Sequence, residues 1–237
     1  MDRVLTVLMP AYNEEAYVER ILERLLRVEL PCSLGMQVVV IDDASRDATA
    51  ARVESFKAQH PEADVCLLRH ARNSGKGSAI RTGLEAARGE LCVVQDADEE
   101  YDPEDFCEMC RVMLEENEDV VYGSRYLKEG RRAEGSRLFY TGTRWLTRTA
   151  NLLYGQHLTD EATCYKMFRT RLLRSLDLRC TGFEFCPEVT AKVGRRGIQI
   201  REVPISYAPR SVAEGKKIGW RDGLEAMWTL LKFRLIH

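Results

Sequence analysis

No run of roughly eighteen uncharged apolar residues occurs in this 237-residue sequence, so none of its helices is suited to span a bilayer. The apolar stretch Val4–Met9 is too short for a signal-peptide core and is ended by Pro10. Histidine is scarce. The four residues, at 60, 70, 157 and 237, are scattered, and no nucleophile–histidine pair is legible. Internal repeats, low-complexity tracts and a clear linker are missing too, which points to one domain, 1–237. Cysteine is plentiful at eight, but disulfide frameworks belong to small secreted chains, so these read as reduced thiols of a cytoplasmic protein. Cys107 and Cys110 have neither a second pair nor a nearby histidine, and zinc is not supported.

What is present is apolar (45%) and periodic enough to exclude disorder. The net charge of −2 conceals a division. Residues 1–124 carry 13 Lys and Arg against 26 Asp and Glu, and residues 125–237 carry 22 against 11. That suits a site with a metal on one side and phosphates on the other, and it equally suits two solvated surfaces.

Apolar runs and helical patterns alternate through the first half. Strands are expected at Val4–Met9, Gln37–Ile41, Val65–Arg69, Leu91–Gln95 and Asp119–Ser124. Helices are expected at Glu14–Val28, Asp47–Gln59, Gly75–Arg88 and Pro103–Glu115. This is an α/β pattern with a mainly parallel sheet, whose ligands bind at the carboxyl ends of the strands. In the second half, Lys128–Gly135 reads as a loop. Arg137–Tyr154 and Trp220–Leu235 read as amphipathic helices with arginines beside the apolar stripe.

Asp96-Ala97-Asp98 follows the apolar run ending at Gln95. Side chains two apart on a strand share a face, so the two carboxylates would repel unless a cation joined them. Carboxylates with diphosphate oxygens suit Mg²⁺ or Mn²⁺, although a solvated turn is the commoner use of Asp-x-Asp. Asn73-Ser74-Gly75-Lys76-Gly77 lacks the spacing of a phosphate loop. Its glycines are expected to permit close packing beneath a nucleotide, with Ser74 as helix cap, and Lys76 is as well explained by a solvated charge.

Together these segments resemble the family 2 glycosyltransferases of GT-A fold, and within them the dolichyl- and polyprenyl-phosphate sugar synthases. The matching pieces are Met9 to Glu15, Val40 to Thr49, Asn73 to Ala79, Asp96 to Glu100, Gly123 to Tyr126, Thr159-Asp160, Tyr165 to Arg169 and Gly182 to Phe185, in family order. The resemblance implies a nucleotide-sugar half (1–124), an acceptor half (125–219) and a C-terminal amphipathic helix (220–237). It implies that Pro10, Tyr12 and Glu14 line a nucleoside pocket and that Ile41 and Asp43 meet the base. Asp96 and Ala97 would contact the donor, and Asp98 would bind metal with Glu100, where the family often has Gln, as a second ligand. Turn capping competes for Asp42 and is preferred for Asp47. Arg125, Arg210 and Lys216 would meet phosphates, the last two on a loop at 210–217 that folds over the diphosphate. Arg144, Arg148, Lys166 and Arg169 are candidates for the acceptor phosphate. Asp160, Glu184 and Glu188 are the candidate bases, each equally readable as a structural carboxylate.

The expectation is therefore an inverting, metal-dependent hexosyltransferase using a GDP-mannose- or UDP-glucose-type donor. Its acceptor is a polyprenyl phosphate, met peripherally at the inner membrane face. The alternatives are a soluble glycosyltransferase acting on a hydroxyl and a nucleotide-sugar-binding protein without catalysis. A nucleic-acid binder ranks last, since only the basic half suggests one.

Overall fold

The computed structural model describes residues 3–127, 137–210 and 219–235. Residues 211–218, Lys216 among them, and 128–136 lie outside the described residues, as do the side chains of Arg137, Leu138, Phe139 and Trp220.

Strands β1 (Val4–Ala11), β2 (Gly35–Asp42), β3 (Val65–Arg69) and β4 (Leu91–Val94) alternate with helices α1 (Val18–Arg27), α2 (Thr49–Gln59), α3 (Lys76–Ala86) and α4 (Asp105–Glu115). After β5 (Val120–Ser124) come α5 (Arg137–Tyr154), β6 (Lys166–Arg169), α6 (Thr170–Ser175), α7 (Phe185–Arg195), β7 (Arg201–Pro204) and α8 (Trp220–Leu235). The seven strands form one sheet in the order β3-β2-β1-β4-β6-β5-β7. β1 pairs in parallel with β2 and β4, whereas β6 runs antiparallel between β4 and β5.

The central strands are apolar without alternation because helices cover both faces of the sheet. Leu5, Val7, Leu8, Val39, Val40, Leu91 and Val93 are completely buried. A second, smaller core joins α5, α7 and α8 through Leu146, Ala150, Tyr154, Ala191, Ala226, Leu230 and Phe233. The expected parallel frame is present, and β6, β7 and α7 are additional to it. Their sequences hid them. β6 is only Lys-Met-Phe-Arg, with a cation at each end that tertiary carbonyls engage.

The first helix begins at Val18 because residues 14–17 form a turn, tied to the next β–α loop by the Glu14 N–H donating to Thr49 Oγ1 at 2.8 Å. Asn13, Ala44 and Glu99 all have positive φ and follow β1, β2 and β4. Left-handed backbone in non-glycine residues costs energy, and three of the seven such residues described stand at the carboxyl edge of the sheet.

Candidate active site

A cavity of about 890 Å³ opens at that edge. Its charged floor comes from the loops after β1, β2 and β4, with Pro10, Tyr12, Glu14, Asp43, Asp96, Ala97, Asp98 and Glu100 on the wall. Arg125 enters from the end of β5, Lys76 from the first turn of α3, and Arg210 from the segment after β7. The opposite side is apolar and is built by α5 and α8, through Trp145, Leu146, Leu224, Ala226 and Met227 among others.

Two cations organise the floor. The Lys76 ammonium lies 2.5 Å from Asp96 Oδ1, with the Phe183 ring 5.7 Å away. Burial works against its charge, but Asp96 beside it prevails and raises the Lys76 pKa well above the ordinary value. This is no solvated surface charge. The second cation, Arg210, reaches Glu14 Oε2 at 3.1 Å and Asp98 Oδ2 at 3.0 Å, and lies 3.8 Å from Glu100 Oε1. Asp98 is pushed up to about 7, first by burial and then by Asp96 and Glu100, with Arg210 opposing. Crowded carboxylates around a guanidinium are a cation site in chemical character.

Several expectations need correction. β4 ends at Val94, so Asp96 and Asp98 stand in a turn and the strand-face argument does not apply; each carboxylate takes a different cation. Glu100 is committed to the C-terminal segment. It accepts from Tyr207 OH and from the Arg210 backbone N–H, both at 2.9 Å, which leaves it poorly placed as a second metal ligand. Ile41 is fully buried, its side chain packed where a Cβ on Gly83 would collide with it, and it does not line the cavity. Asp43 does line it, while its carboxylate accepts from the Ser74 and Gly75 N–H groups at 2.8 Å and pairs with His70 at 2.6 Å.

Gly75, not Ser74, caps α3. A side chain at Gly75 or Gly77 would strike the carbonyl oxygens of Thr181 and Cys180, so the glycines admit the 180–182 backbone. Lys166 is completely buried over the Tyr122 ring and donates to the Glu161 carbonyl at 2.6 Å. Arg169 bonds the Met113 and Glu118 carbonyls. Neither is free for an acceptor phosphate. Asp47 accepts from the Thr49 and Glu15 N–H groups, as expected of a turn-capping residue.

The three candidate bases are all engaged. Asp160 is fully buried and grips Arg125 through bonds of 2.6 and 2.7 Å. Glu184 accepts from the Thr181 and Gly182 N–H groups, and Glu188 from those of Arg179 and Cys180. Asp160 thus fixes Arg125, whose guanidinium also stacks 5.0 Å from the Tyr207 ring. Sequence reasoning gave no role to Tyr101, Phe183 or Tyr207 on the cavity wall, for lone aromatics in loops carry no periodic signal, and Phe183 stood out only as part of a matching piece. No cluster of three or more His, Cys, Asp or Glu with metal-ligand geometry exists among the described residues. All eight cysteines are free, and no described helix is long and apolar enough to cross a membrane.

Comparison with known proteins agrees with this geometry. Residues 6–177 match the model of glycosyl transferase family 2. An undecaprenyl-phosphate mannosyltransferase of Micrococcus luteus is 32% identical over 98% of this chain and 99% of its own length. A dolichyl-phosphate beta-glucosyltransferase of Trichomonas vaginalis is 27% identical over 98% of this chain and 73% of its own. Among solved structures, glucosyl-3-phosphoglycerate synthase from Mycobacterium tuberculosis, in complex with Mn²⁺, UDP and phosphoglyceric acid, superposes with a TM-score of 0.74. It covers 99% of this chain and 80% of that one at 20% identity, a likeness of fold. With a GT-A-type sheet, a charged cavity at its carboxyl edge and a family match across most of its length, the chain belongs to the family 2 glycosyltransferases.

Proposed function

We propose that this enzyme moves a hexose from a nucleotide-diphospho-sugar, of GDP-mannose or UDP-glucose type, to a polyprenyl phosphate, inverting the anomeric centre. The observation that carries this reading is the two-sided cavity. One side gathers Lys76, Arg125 and Arg210 with carboxylates, and the other is an apolar wall from α5 and α8. A phosphate joined to a hydrocarbon chain needs both. The names of the Micrococcus and Trichomonas relatives, which act on undecaprenyl and dolichyl phosphate, support the same acceptor class.

The nucleoside would lie against Pro10 and Tyr12, with Glu14 accepting from ribose hydroxyls. Asp96, held by Lys76, would face the sugar, and Arg210 would meet the diphosphate, with Lys216 assigned to the same task. The residues fit a divalent cation, Mg²⁺ or Mn²⁺, because the Asp98 carboxylate is crowded by its acidic neighbours and already shares a cation. Asp98 would hold it, and when bound the ion supplies positive charge against the departing nucleoside diphosphate.

In the transfer, a bond forms between an acceptor phosphate oxygen and the anomeric carbon as the bond from that carbon to the diphosphate oxygen breaks. Arg125, rigid in the grip of Asp160, would orient the acceptor phosphate, and orientation lowers the barrier without covalent chemistry. An ionised phosphate needs no strong base. That agrees with the engagement of Asp160, Glu184 and Glu188, and it disfavours a hydroxyl acceptor. The enzyme would work at the cytoplasmic face of a membrane, in peripheral contact.

The test is transfer of labelled hexose from GDP-mannose and UDP-glucose, with Mn²⁺ or Mg²⁺, to a short-chain polyprenyl phosphate. Label should enter the organic phase with one donor. Transfer only to a water-soluble hydroxyl would replace this reading with the soluble-acceptor one. Donor binding without any transfer would leave a nucleotide-sugar-binding protein.

A further inference from the structure

We infer that the base of the donor is uracil and not guanine, and that His70 makes this choice by occupying the acceptor of Asp43 that guanine would need. The inference rests on the nucleotide-diphospho-sugar reading and adds which of its two donor types the site takes. It begins with the place of Asp43. The Asp43 N–H donates to the Ala11 carbonyl at 2.8 Å, which sets the residue beside the end of β1, where the nucleoside would lie. Its side chain is only 5% exposed, and it lines the cavity together with Pro10, Ala11 and Tyr12.

A carboxylate offers about four acceptor positions, two on each oxygen. In Asp43 three are taken. Oδ1 accepts from the Ser74 N–H at 2.8 Å and lies 2.6 Å from His70 Nδ1, and Oδ2 accepts from the Gly75 N–H at 2.8 Å. A carboxylate that two backbone N–H groups hold as an acceptor assigns the hydrogen of the remaining bond to Nδ1, so His70 donates. The ring is fixed from its other side, with Nε2 2.9 Å from Thr82 Oγ1 on α3. The His70 backbone is fixed as well, its N–H donating to the Asp42 carbonyl at 2.9 Å. His70 does not itself line the cavity and acts through Asp43, as a positioning residue. One acceptor position is left, on Oδ2.

Bases differ in what they present to it. The pairing edge of uracil has a single donor, N3–H, between two carbonyls. Guanine has two adjacent donors, N1–H and the N2 amino group, which together use both oxygens of a carboxylate. With Oδ1 filled by Ser74 and His70, guanine would leave one N–H enclosed without a partner, whereas uracil spends its one donor on Oδ2. Such a mismatch of polar groups discriminates far more strongly than a difference in size. Cytosine and adenine present a ring-nitrogen lone pair at the corresponding place and would set acceptor against acceptor.

Calorimetric titration of the whole protein with UDP and with GDP, at one Mg²⁺ concentration, is the test. Ribose, diphosphate and ion are common to the two ligands and cancel in the ratio of affinities, which leaves the base. Wild type should bind UDP at least about tenfold more tightly than GDP. His70→Phe frees the second position on Oδ1, and the preference should narrow to within about threefold. His70→Asn, whose amide can place an N–H where Nδ1 stands, should keep most of the preference. Thr82→Val leaves the ring without its second anchor and should narrow the preference by an intermediate amount. It reads the same network should His70→Phe fail to fold.

Equal affinities, or a preference for GDP, in wild type would overturn the uracil assignment and leave the transferase reading intact with a GDP-mannose-type donor. Equal losses for both nucleotides in His70→Phe would overturn the selecting role and make His70 a structural part alone. Binding of neither nucleotide would overturn the donor reading, and this inference with it.

Discussion

Arg210 stands 3.0 Å from Asp98 and is shared with Glu14 and Glu100, one guanidinium among three carboxylates. The pairing joins two segments more than a hundred residues apart and draws the C-terminal segment onto the carboxyl edge of the sheet. Tyr207 and the Arg210 backbone are fastened to Glu100, and residue 101 bridges to 207. The guanidinium therefore serves as structural counter-charge before any donor arrives.

Removing that counter-charge should cost stability in a way a metal can repair. Arg210→Ala leaves Glu14, Asp98 and Glu100 facing one another, and loss of one partner from a largely buried cluster costs about 1–3 kcal/mol. The melting temperature should fall without divalent ions, and Mn²⁺ should raise that of the variant more than that of wild type. Equal Mn²⁺ shifts in thermal melts would show that the guanidinium and the ion do not share the pocket.

Asp160 gives the opposite kind of test. A catalytic base replaced by its amide leaves the fold intact and stops turnover, whereas a buried partner replaced by its amide leaves Arg125 uncompensated. Asp160→Asn should therefore destabilise the protein by about 3–5 kcal/mol. Arg125→Met in the same chain should restore part of that loss. Denaturant melts of the two single variants and the double variant measure it, and an unchanged midpoint for Asp160→Asn would return Asp160 to the list of bases.

Much of the frame was legible because its signals are local. Val4–Met9, Val65–Arg69 and Leu91–Gln95 are apolar runs between helical patterns, and the residues just beyond them carry the polar edge. The placement of Pro10, Tyr12, Glu14, Asp96, Asp98 and Arg210 around one cavity followed from that edge and from the resemblance. What stayed hidden depends on partners distant in the chain. Lys166 reads as a charge available to ligands until the Tyr122 ring and the Glu161 carbonyl are seen around it. Asp160 reads equally as a base and as a structural carboxylate until Arg125, 35 residues earlier, closes on it. The apolar stripe of α8 was visible as periodicity, but only packing could tell which of its residues are buried.

Lys76 should matter to the sugar end of the donor. It holds Asp96 at 2.5 Å in a largely enclosed environment, so Lys76→Met removes the cation that aims this carboxylate. Affinity for the nucleotide-sugar should fall by roughly tenfold or more, the worth of a buried charge-assisted bond. Affinity for the nucleoside diphosphate alone should change less. Calorimetric titration of both ligands makes the comparison, and equal losses would place Lys76 on the phosphates.

Asp98 and Glu100 can be separated by metal binding. Both stand near Arg210, but Asp98 accepts from Arg210 and the Glu100 N–H, whereas Glu100 spends one oxygen on Tyr207 OH and the other on the Arg210 backbone. Asp98→Ala should abolish Mn²⁺-dependent binding of the nucleoside diphosphate and reduce transfer by at least about a hundredfold. Its fold should survive, since the change also relieves like-charge crowding. Glu100→Gln keeps an acceptor for Tyr207 and should hold Mn²⁺ affinity within about threefold of wild type, as a residue that acts through the C-terminal segment. Paramagnetic titration of free Mn²⁺ in the presence of nucleoside diphosphate reads the two variants directly. A loss for Glu100→Gln as deep as that for Asp98→Ala would make Glu100 a ligand, and its bonds to Tyr207 and Arg210 would then have to open when the metal binds.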